Sequence, residues 1–318
     1  MTRRKAKITS RTTIIALVLA AVTLLSAQEV FAGCIPPDYY WWFNNEDFNG
    51  DLYSDMAFYG NGQWRVRDSV TGVIETKPQG LPGDIPVSDT WAVGITSQQG
   101  VWRPSTGDWY APEGPIHFGL NGDKPVNADY DRDCKADLAV FRQGDWWILK
   151  SSDGTVRIDQ WGTSGDIPVP GHWGFINEPW VALGVYRPSN STWYLRKFNT
   201  TESLAYQFGT TGDLPVPGVY NGSSSGGLTF AVFRPSDRTW WIYLDYPEVR
   251  IISFEFGLST DIPVPGDYDG NASGTNVAVY RPSNGVWYYL DDNYGQTVEV
   301  YFPGNAGEQP VPGFRYRY

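Results

Sequence analysis

The sequence predicts an all-β fold built as a closed ring of six repeated units. Three observations support this prediction: a phrase that recurs along the chain, a regular spacing of tryptophans, and two chain ends that each supply part of one unit. A fixed period is a strong guide to architecture, because each repeat is one structural unit that packs against the next.

The recurring phrase starts with an aromatic residue and Gly. It continues through Gly-Asp-x-Pro-Val and an acidic or degenerate loop, and it ends with an apolar segment and a Trp-rich segment. A full copy reads FGLNGDKPVNADYDRDCKADLAVFRQGDWWIL. Short β-branched and aromatic segments such as DLAVFR, separated by Gly, Pro, Asn and Ser, predict strands. The copies cover 118–149, 161–195, 208–243 and 256–290, with a weaker one at 83–110.

The tryptophan spacing indicates the type of repeat from which the ring is built. The last three steps between the first tryptophans of the Trp-rich segments are each 47 residues. A period of roughly 40–50 residues is typical of four-stranded β-propeller blades. We therefore expect these side chains to pack inside six blades: Trp64, Trp109, Trp146, Trp193, Trp240 and Trp287.

The two ends of the repeat region complement each other. Residues 46–67 supply an acidic loop and an aromatic strand without a preceding Pro-Val, and residues 302–318 supply the Pro-Val segment alone. Joined, they make one blade, and pairing them would remove the open edges that promote aggregation. The predicted propeller covers 44–318.

The first 32 residues are predicted to be a signal peptide. A basic segment precedes an apolar run at 14–27 that is short for a membrane span, and Val30-Phe31-Ala32 fits a cleavage site. The remaining chain, with an N-terminal arm at 33–43, is expected to be secreted or at the cell surface and not membrane-spanning. Twin-arginine export and lipidation of Cys34 are the alternatives.

The charge of the remaining chain limits the classes of partner that it can bind. Removing the five basic residues and one Glu of the leader leaves 19 Lys and Arg against 34 Asp and Glu, a net charge near −15. Nucleic acid and anionic membrane are excluded as main partners, because their binding requires a basic surface.

The two cysteines, Cys34 and Cys134, predict a disulfide in an exported protein. Two unrelated thiols are the alternative.

Acidic loops suggest calcium. In DYDRDCKAD, carboxylates alternate at relative positions 1, 3, 5 and 9, and calcium prefers six to eight carboxylate and carbonyl oxygens. Position 12 is Val140 rather than the Glu of an EF-hand, so the loop enters a strand. The predicted ligands are Asp129, Asp131, Asp133, the Lys135 carbonyl and Asp137.

Two further loops share this pattern. The predicted ligands of the first are Asp47, Asn49, Asp51, the Tyr53 carbonyl and Asp55. Those of the second are Asp267, Asp269, Asn271 and, after one extra residue, Asn276. The insertion and the two amides should weaken the second site. The remaining blades lack the acidic pattern.

The phrase Phe-Gly…Gly-Asp-x-Pro-Val followed by an acidic loop resembles the FG-GAP/VCBS-type repeats of integrin α-subunit propellers, fungal propeller lectins and many exported bacterial proteins. The resemblance covers nearly all of 44–316. It implies that the acidic loops hold structural calcium and that binding functions lie elsewhere on the ring. Arg132, Cys134 and Leu52 stand where the family usually has Gly.

Other chemistry is sparse. Only two histidines occur, and no carboxylate pair outside the repeats suggests glycoside hydrolysis, so we expect a binding module rather than a polysaccharide-degrading enzyme. Five repeated Arg and Asp positions are interpreted as structural pairs, with sugar-binding arginines as the alternative. Aromatics outside the Trp register suggest ligand platforms at Trp41, Trp42, Trp173 and Trp180. The expected ligand is carbohydrate, with an extracellular protein partner as the alternative.

Overall fold

The computed structural model describes residues 46–92, 96–173, 181–220, 227–244, 248–270, 274–291 and 295–312. The described chain forms six four-stranded antiparallel sheets and contains no helix. The predictions of an all-β chain and of a six-bladed β-propeller are therefore confirmed. No helix of the described part is long and apolar enough to cross a membrane.

The first blade closes the ring. It consists of β1 (Met56–Gly60), β2 (Gln63–Arg67) and β3 (Ile74–Pro78), which are joined by the last strand of the chain, β24 (Glu308–Val311). β24 pairs antiparallel with β1 from Ala57↔Val311 to Gly60↔Glu308. The joining of the two half-repeats that the sequence predicted is thus confirmed strand by strand.

The other five blades are continuous in sequence and share one order of strands. The second and third blades are β4 (Ile85–Asp89), β5 (Gln98–Arg103), β6 (Asp108–Ala111), β7 (Gly114–His117), β8 (Lys124–Pro125), β9 (Leu138–Arg142), β10 (Asp145–Leu149) and β11 (Val156–Gln160). The fourth and fifth are β12 (Ile167–Pro168), β13 (Leu183–Arg187), β14 (Thr192–Arg196), β15 (Ser203–Gln207), β16 (Leu214–Pro215), β17 (Ala231–Arg234), β18 (Thr239–Leu244) and β19 (Arg250–Glu255). The sixth is β20 (Ile262–Pro263), β21 (Ala278–Arg281), β22 (Val286–Leu290) and β23 (Thr297–Tyr301).

Burial rises from the outer to the inner strands of each blade. Outer strands such as β11 and β15 expose every second side chain, whereas β9 and β13 are almost wholly buried. The Trp-rich strands alternate between buried and half-buried side chains, because successive side chains point to opposite faces of the sheet. The six register tryptophans are 0–1% exposed, as predicted.

Aromatic packing joins neighbouring blades. Tyr206 of the fourth blade stacks on Phe230 of the fifth with ring centroids 5.2 Å apart, and it meets Tyr243 edge-on at 5.3 Å. Such contacts add roughly 0.5–1.5 kcal/mol per pair to the burial of apolar area. The core is therefore a set of clusters between sheets, as expected for sheets packed around an axis.

The repeated arginines are structural. Arg142 donates from Nε and Nη2 to the Asp123 carboxylate at 2.6 and 2.7 Å, and the carboxylate also accepts the Leu120 N–H at 2.8 Å. This links the entry to the first strand of the blade with the end of the second. The same bidentate pair recurs as Arg103–Asp84, Arg187–Asp166, Arg234–Asp213 and Arg281–Asp261. The structural interpretation of these residues is confirmed.

Candidate metal centres

The acidic loops at 129–137 and 267–276 connect the first and second strands of their blades, whereas the loop at 47–55 leads directly into β1. The loop at 129–137 lies between β8 and β9, and the Ala128↔Asp137 bridge closes its base. The Tyr130 side chain fixes the loop to the blade, since its hydroxyl donates to the Val126 carbonyl at 2.6 Å. The strands thus hold both ends of the loop, while its middle carries the carboxylates.

The 129–137 loop brings carboxylates together. Carboxylate oxygens of Asp129, Asp131 and Asp137 all lie within 4.8 Å of one another. No other group of three or more Asp, Glu, His or Cys side chains in the described ranges meets this criterion. Three negative charges at this separation repel strongly unless protons or a cation compensate them.

Asp131 supplies the clearest sign of an inward-facing ligand. Its Oδ2 accepts the Ser152 hydroxyl at 2.5 Å, whereas its Oδ1 is buried and has no hydrogen-bond partner. A buried carboxylate oxygen without a partner is costly, and cation coordination would satisfy it. The residues present therefore fit a hard cation such as calcium.

Asp133 is not a member of this group of three. Asp133 Oδ1 accepts the Lys135 N–H at 2.9 Å, and its Oδ2 accepts the Ser151 hydroxyl at 2.7 Å. Asp137 is buried and accepts the N–H groups of Tyr130 and Ser151 at 2.8 and 2.7 Å. Three of the four predicted carboxylates therefore converge in this structure. The fourth, Asp133, stabilises the loop through its two hydrogen bonds.

Backbone conformation explains the glycine preference of the motif. Arg132 and Cys134 have φ values of 63° and 72°, in the left-handed region where a Cβ is strained. In the loop at 47–55, Gly50 and Leu52 take the same positions with φ of 83° and 74°. The departures from glycine thus keep the loop shape at some cost in strain.

The loop at 47–55 repeats this framework with a looser cluster. Buried Asp47 accepts the N–H groups of Gly50 and Leu52 at 2.6 and 2.9 Å. Asp55 accepts the N–H of Phe48 at 3.0 Å, as Asp137 does from Tyr130. The Asn49 amide donates to Asp51 Oδ2 at 3.1 Å.

The loop at 267–276 replaces one carboxylate with an amide. Asn276 Oδ1 accepts the Tyr268 N–H at 2.7 Å, so Asn276 stands at the position of Asp137. Its Nδ2 donates to Asp269 Oδ2 at 2.9 Å, which gives that carboxylate an internal partner. The predicted ligand Asn271 lies outside the described residues. This loop therefore fits a cation less well than the other two.

Burial and mutual repulsion change the acidity of the loop carboxyls. Burial raises the pKa of Asp129 to about 7, with further increases from Asp137 and Asp133 and opposition from the Cys134 N–H. Burial likewise raises the pKa of Asp137 and of Asp55 to about 7, and that of Asp47 to about 6. Without a cation, these loops would hold protons near neutral pH.

Backbone hydrogen bonds connect neighbouring loops around the ring. The Ala136 N–H, next to Asp137, donates to the Thr90 carbonyl in the second blade at 2.9 Å. Equivalent bonds at 2.7–2.8 Å are Ser97→Asp47, Leu228→His172, Thr275→Val219 and Ser54→Asp267. The last residues of one loop thus hold the first residue of the loop in the neighbouring blade. An ion in a loop would stabilise the junction between two blades as well as one turn.

The prediction of an aromatic ligand platform at Trp173 is wrong. Trp173 is 1% exposed, and its Nε1 donates to the Val169 carbonyl at 3.3 Å. Tyr130 and Tyr220 make the same contact to the residue four positions earlier. Trp173 is therefore a core residue in the repeat register, and counting from Pro-Val would have identified it.

Several other predictions fall on undescribed parts of the chain. Trp41, Trp42, Trp180 and Cys34 lie outside the described residues. Cys134 is disulfide-bonded rather than a free thiol. Because Cys34 is not described, its pairing with Cys134 stays a prediction.

Sequence reasoning missed an axial cavity. Residues of β24, β4, β8 and β12 line one cavity of about 40 Å³, so these strands face a common axis. Its polar lining comes from Glu46, Ser88, Lys124 and Asn127. Each of these departs from the residue that most other blades have at that position, and this departure was the available signal.

Comparisons with known proteins found similar structures only, at low sequence identity. No protein-family model matches the chain, and no curated protein matches it. A catalytically inactive variant of virginiamycin B lyase from Staphylococcus aureus, solved with quinupristin, is 12% identical, with 78% of this chain and 85% of the lyase covered and a TM-score of 0.47. A β-propeller domain from Myceliophteria thermophila is 10% identical, covers 82% and 85%, and has a TM-score of 0.47. AztD from Citrobacter koseri is 10% identical, covers 82% and 98%, and has a TM-score of 0.40. At these values the similarities carry no information about function.

Proposed function

We propose that the protein is an exported, calcium-stabilised β-propeller that serves as a binding module, with carbohydrate as its ligand. The fold itself favours a binding or scaffold role. The observation that supports the calcium assignment is the 129–137 loop, where three carboxylates converge and one buried oxygen of Asp131 has no protein partner. Calcium would be held by Asp129, Asp131 and Asp137, and by the corresponding residues of the 47–55 loop.

Two features support a binding role. Among the described residues, the repeated arginines and most aromatics are used in packing, and the only clustered carboxylates fit a cation rather than an acid–base pair. Charge also limits the ligand, since the chain without its predicted leader has a net charge near −15 and repels polyanions. A neutral, hydroxyl-rich ligand such as a carbohydrate meets these limits. An extracellular protein partner is the second candidate.

A glycan array tests both parts of the proposal. The protein is screened in calcium and again in EDTA, with a thermal melt of each sample. Sugar-specific signal with a higher melting temperature in calcium supports the proposal. A blank array from a folded, calcium-stabilised protein would reject carbohydrate among the sugars displayed and favour a protein partner.

A further inference from the structure

The six blades carry different residue types at equivalent positions of the repeat near the axis. At the variable position of Gly-Asp-x-Pro-Val, four blades have Ile or Leu, whereas the third has Lys124. After the Val, four blades have Pro, whereas the second and third have Ser88 and Asn127. Glu46 and Asp89 occupy a position that is Gly171, Gly218 and Gly266 in other blades. These five polar departures, together with Gln309 at the Lys124 position of the first blade, all fall in the first three blades.

Four of these five side chains line the axial cavity: Glu46, Ser88, Lys124 and Asn127. Glu46, Ser88 and Asn127 are at most 4% exposed. Because burying polar groups costs free energy, placing them together on one side of an axis calls for a compensating interaction. The rest of the lining includes Pro168, Pro170 and Pro312, which offer apolar ring surface and no N–H donor.

Part of this polar set is satisfied internally. The Ser88 hydroxyl donates to Glu46 Oε1 at 2.5 Å, and the Asn127 amide donates to the Ser88 carbonyl at 3.2 Å and to Asp89 Oδ2 at 3.0 Å. These bonds fix the orientation of the three side chains across the first three blades. They form a rigid, acceptor-rich wall of the kind that pre-organises a binding site.

The charged group of Lys124 has few interactions that offset the cost of its partial burial. Its ammonium group donates to the Asp166 carbonyl at 3.3 Å, and it has no other hydrogen bond and no ion pair with the described residues. Burial lowers the pKa of Lys124 from its ordinary value, while Asp166 opposes this. An ammonium group has three N–H donors, so at least one can serve a ligand.

We propose that the axial cavity is a binding site for one hydroxyl-bearing group of a neutral ligand, such as a sugar residue. A hydroxyl oxygen would accept from Lys124, its proton would be donated to the acceptor wall at Glu46 and Asn127, and C–H surface would lie against the prolines. An anion suits the cavity less, because the Glu46 carboxylate lines it. This inference rests on the proposed carbohydrate function and assigns its site. A cavity of about 40 Å³ accommodates only a small group, so recognition would involve a terminal residue.

The test uses two variants that install residues from other blades. Lys124→Ile gives the third blade the residue of β12 and β20, and Asn127→Pro gives it the residue at 170, 217 and 265. Both should fold, because the same register already accepts them. Gln309→Ile is the matched control, since Gln309 occupies the Lys124 register in β24 but is exposed and does not line the cavity.

Saturation-transfer NMR is recorded on the calcium-loaded protein with glucose, galactose, mannose, fucose and N-acetylglucosamine, and with acetate as an anionic probe. We expect one of the sugars to bind, its affinity to fall about tenfold or more in Lys124→Ile and Asn127→Pro, and Gln309→Ile to match the wild type. Equal sugar binding in all variants would overturn the site while the proposed function stands. Binding of acetate alone would overturn the neutral ligand. No sugar binding to the wild-type protein would overturn the function and this site together.

Discussion

The backbone N–H of Ser54 donates to the carbonyl oxygen of Asp267 at 2.7 Å, which joins the first acidic loop to the last where the ring closes. The Ser54 hydroxyl accepts the Asp267 N–H at 2.9 Å, so the contact is reciprocal. Together with the β1–β24 pairing, it holds the two ends of the propeller. Closure therefore depends on both a strand pair and a loop pair.

Removing β24 should open the ring. Deleting residues 308–318 leaves β1 with an unpaired edge and removes the Glu308 partner of Arg65, which it contacts at 2.6 Å. We expect loss of the cooperative thermal transition and concentration-dependent aggregation by light scattering. Adding a 308–318 peptide in trans should partly restore the transition. A monomeric truncation that melts like the full chain would show that closure is dispensable.

Asp131→Asn should weaken calcium binding by about tenfold or more, because it removes a carboxylate from the coordinating group. The same change should raise the melting temperature in EDTA, because it relieves repulsion by the neighbouring carboxylates. Asp237→Asn, at an exposed hairpin in the fifth blade, is the control and should alter neither property. Isothermal calorimetry and melts provide the two readouts. An Asp131→Asn variant with unchanged affinity would remove Asp131 from the ligand set.

Stability without calcium should fall as pH rises from about 4 to about 7. The raised pKa values of Asp129, Asp137 and Asp55, each about 7, mean that the folded chain keeps protons which the unfolded chain has already released. Ionising these groups in the folded state then costs stability, and the effect levels off above their folded pKa. Melts in EDTA should give a lower melting temperature at pH 8 than at pH 5.

Calcium should reverse this trend, because the ion replaces the protons and binds best to ionised carboxylates. The calcium-dependent rise in melting temperature should therefore be larger at pH 8 than at pH 5. If the melting temperature in EDTA is the same at both pH values, the loop carboxyls are not held in the protonated form described above.

Trp287→Ala should destabilise the fold by about 3–5 kcal/mol, because it leaves a cavity in the sixth blade. It also removes the indole N–H bond to the Phe302 carbonyl at 3.2 Å. Tyr301→Ala, at a residue that is 71% exposed in the adjacent outer strand, should change stability by at most about 0.5 kcal/mol. Urea unfolding curves measure both. Similar losses in the two variants would contradict the assignment of Trp287 to the core.

Most of the fold could be predicted from the recurring sequence phrase. The tryptophan period indicated the six blades, and the half-repeat at 302–318 indicated the closing strand, because ring closure leaves a direct mark on the order of segments. The Arg142–Asp123 pair was predictable for the same reason, since both positions recur. The orientation of Asp133 toward Ser151 was not predictable, because Ser151 lies on a different hairpin.

Deviations from the repeat were harder to interpret. The loss of the acidic residues from its loop suggests an exposed platform at Trp173, yet its position four residues after Val169 places it in the core. The role of Lys124 and Asn127 could not be predicted, since a single polar substitution in a repeat does not show which residues converge on the axis. Symmetric positions could be predicted, whereas the positions that break the symmetry required coordinates.

Counting bound calcium tests the central claim most directly. Native mass spectrometry of the EDTA-treated protein, titrated with calcium, should show two ions per chain, one for the 129–137 loop and one for the 47–55 loop, together with a rise in melting temperature. The same count in an Asp269→Ala variant should remain two, because Asn276 already partners Asp269. A protein that binds no calcium and melts at the same temperature in calcium and in EDTA would contradict the account.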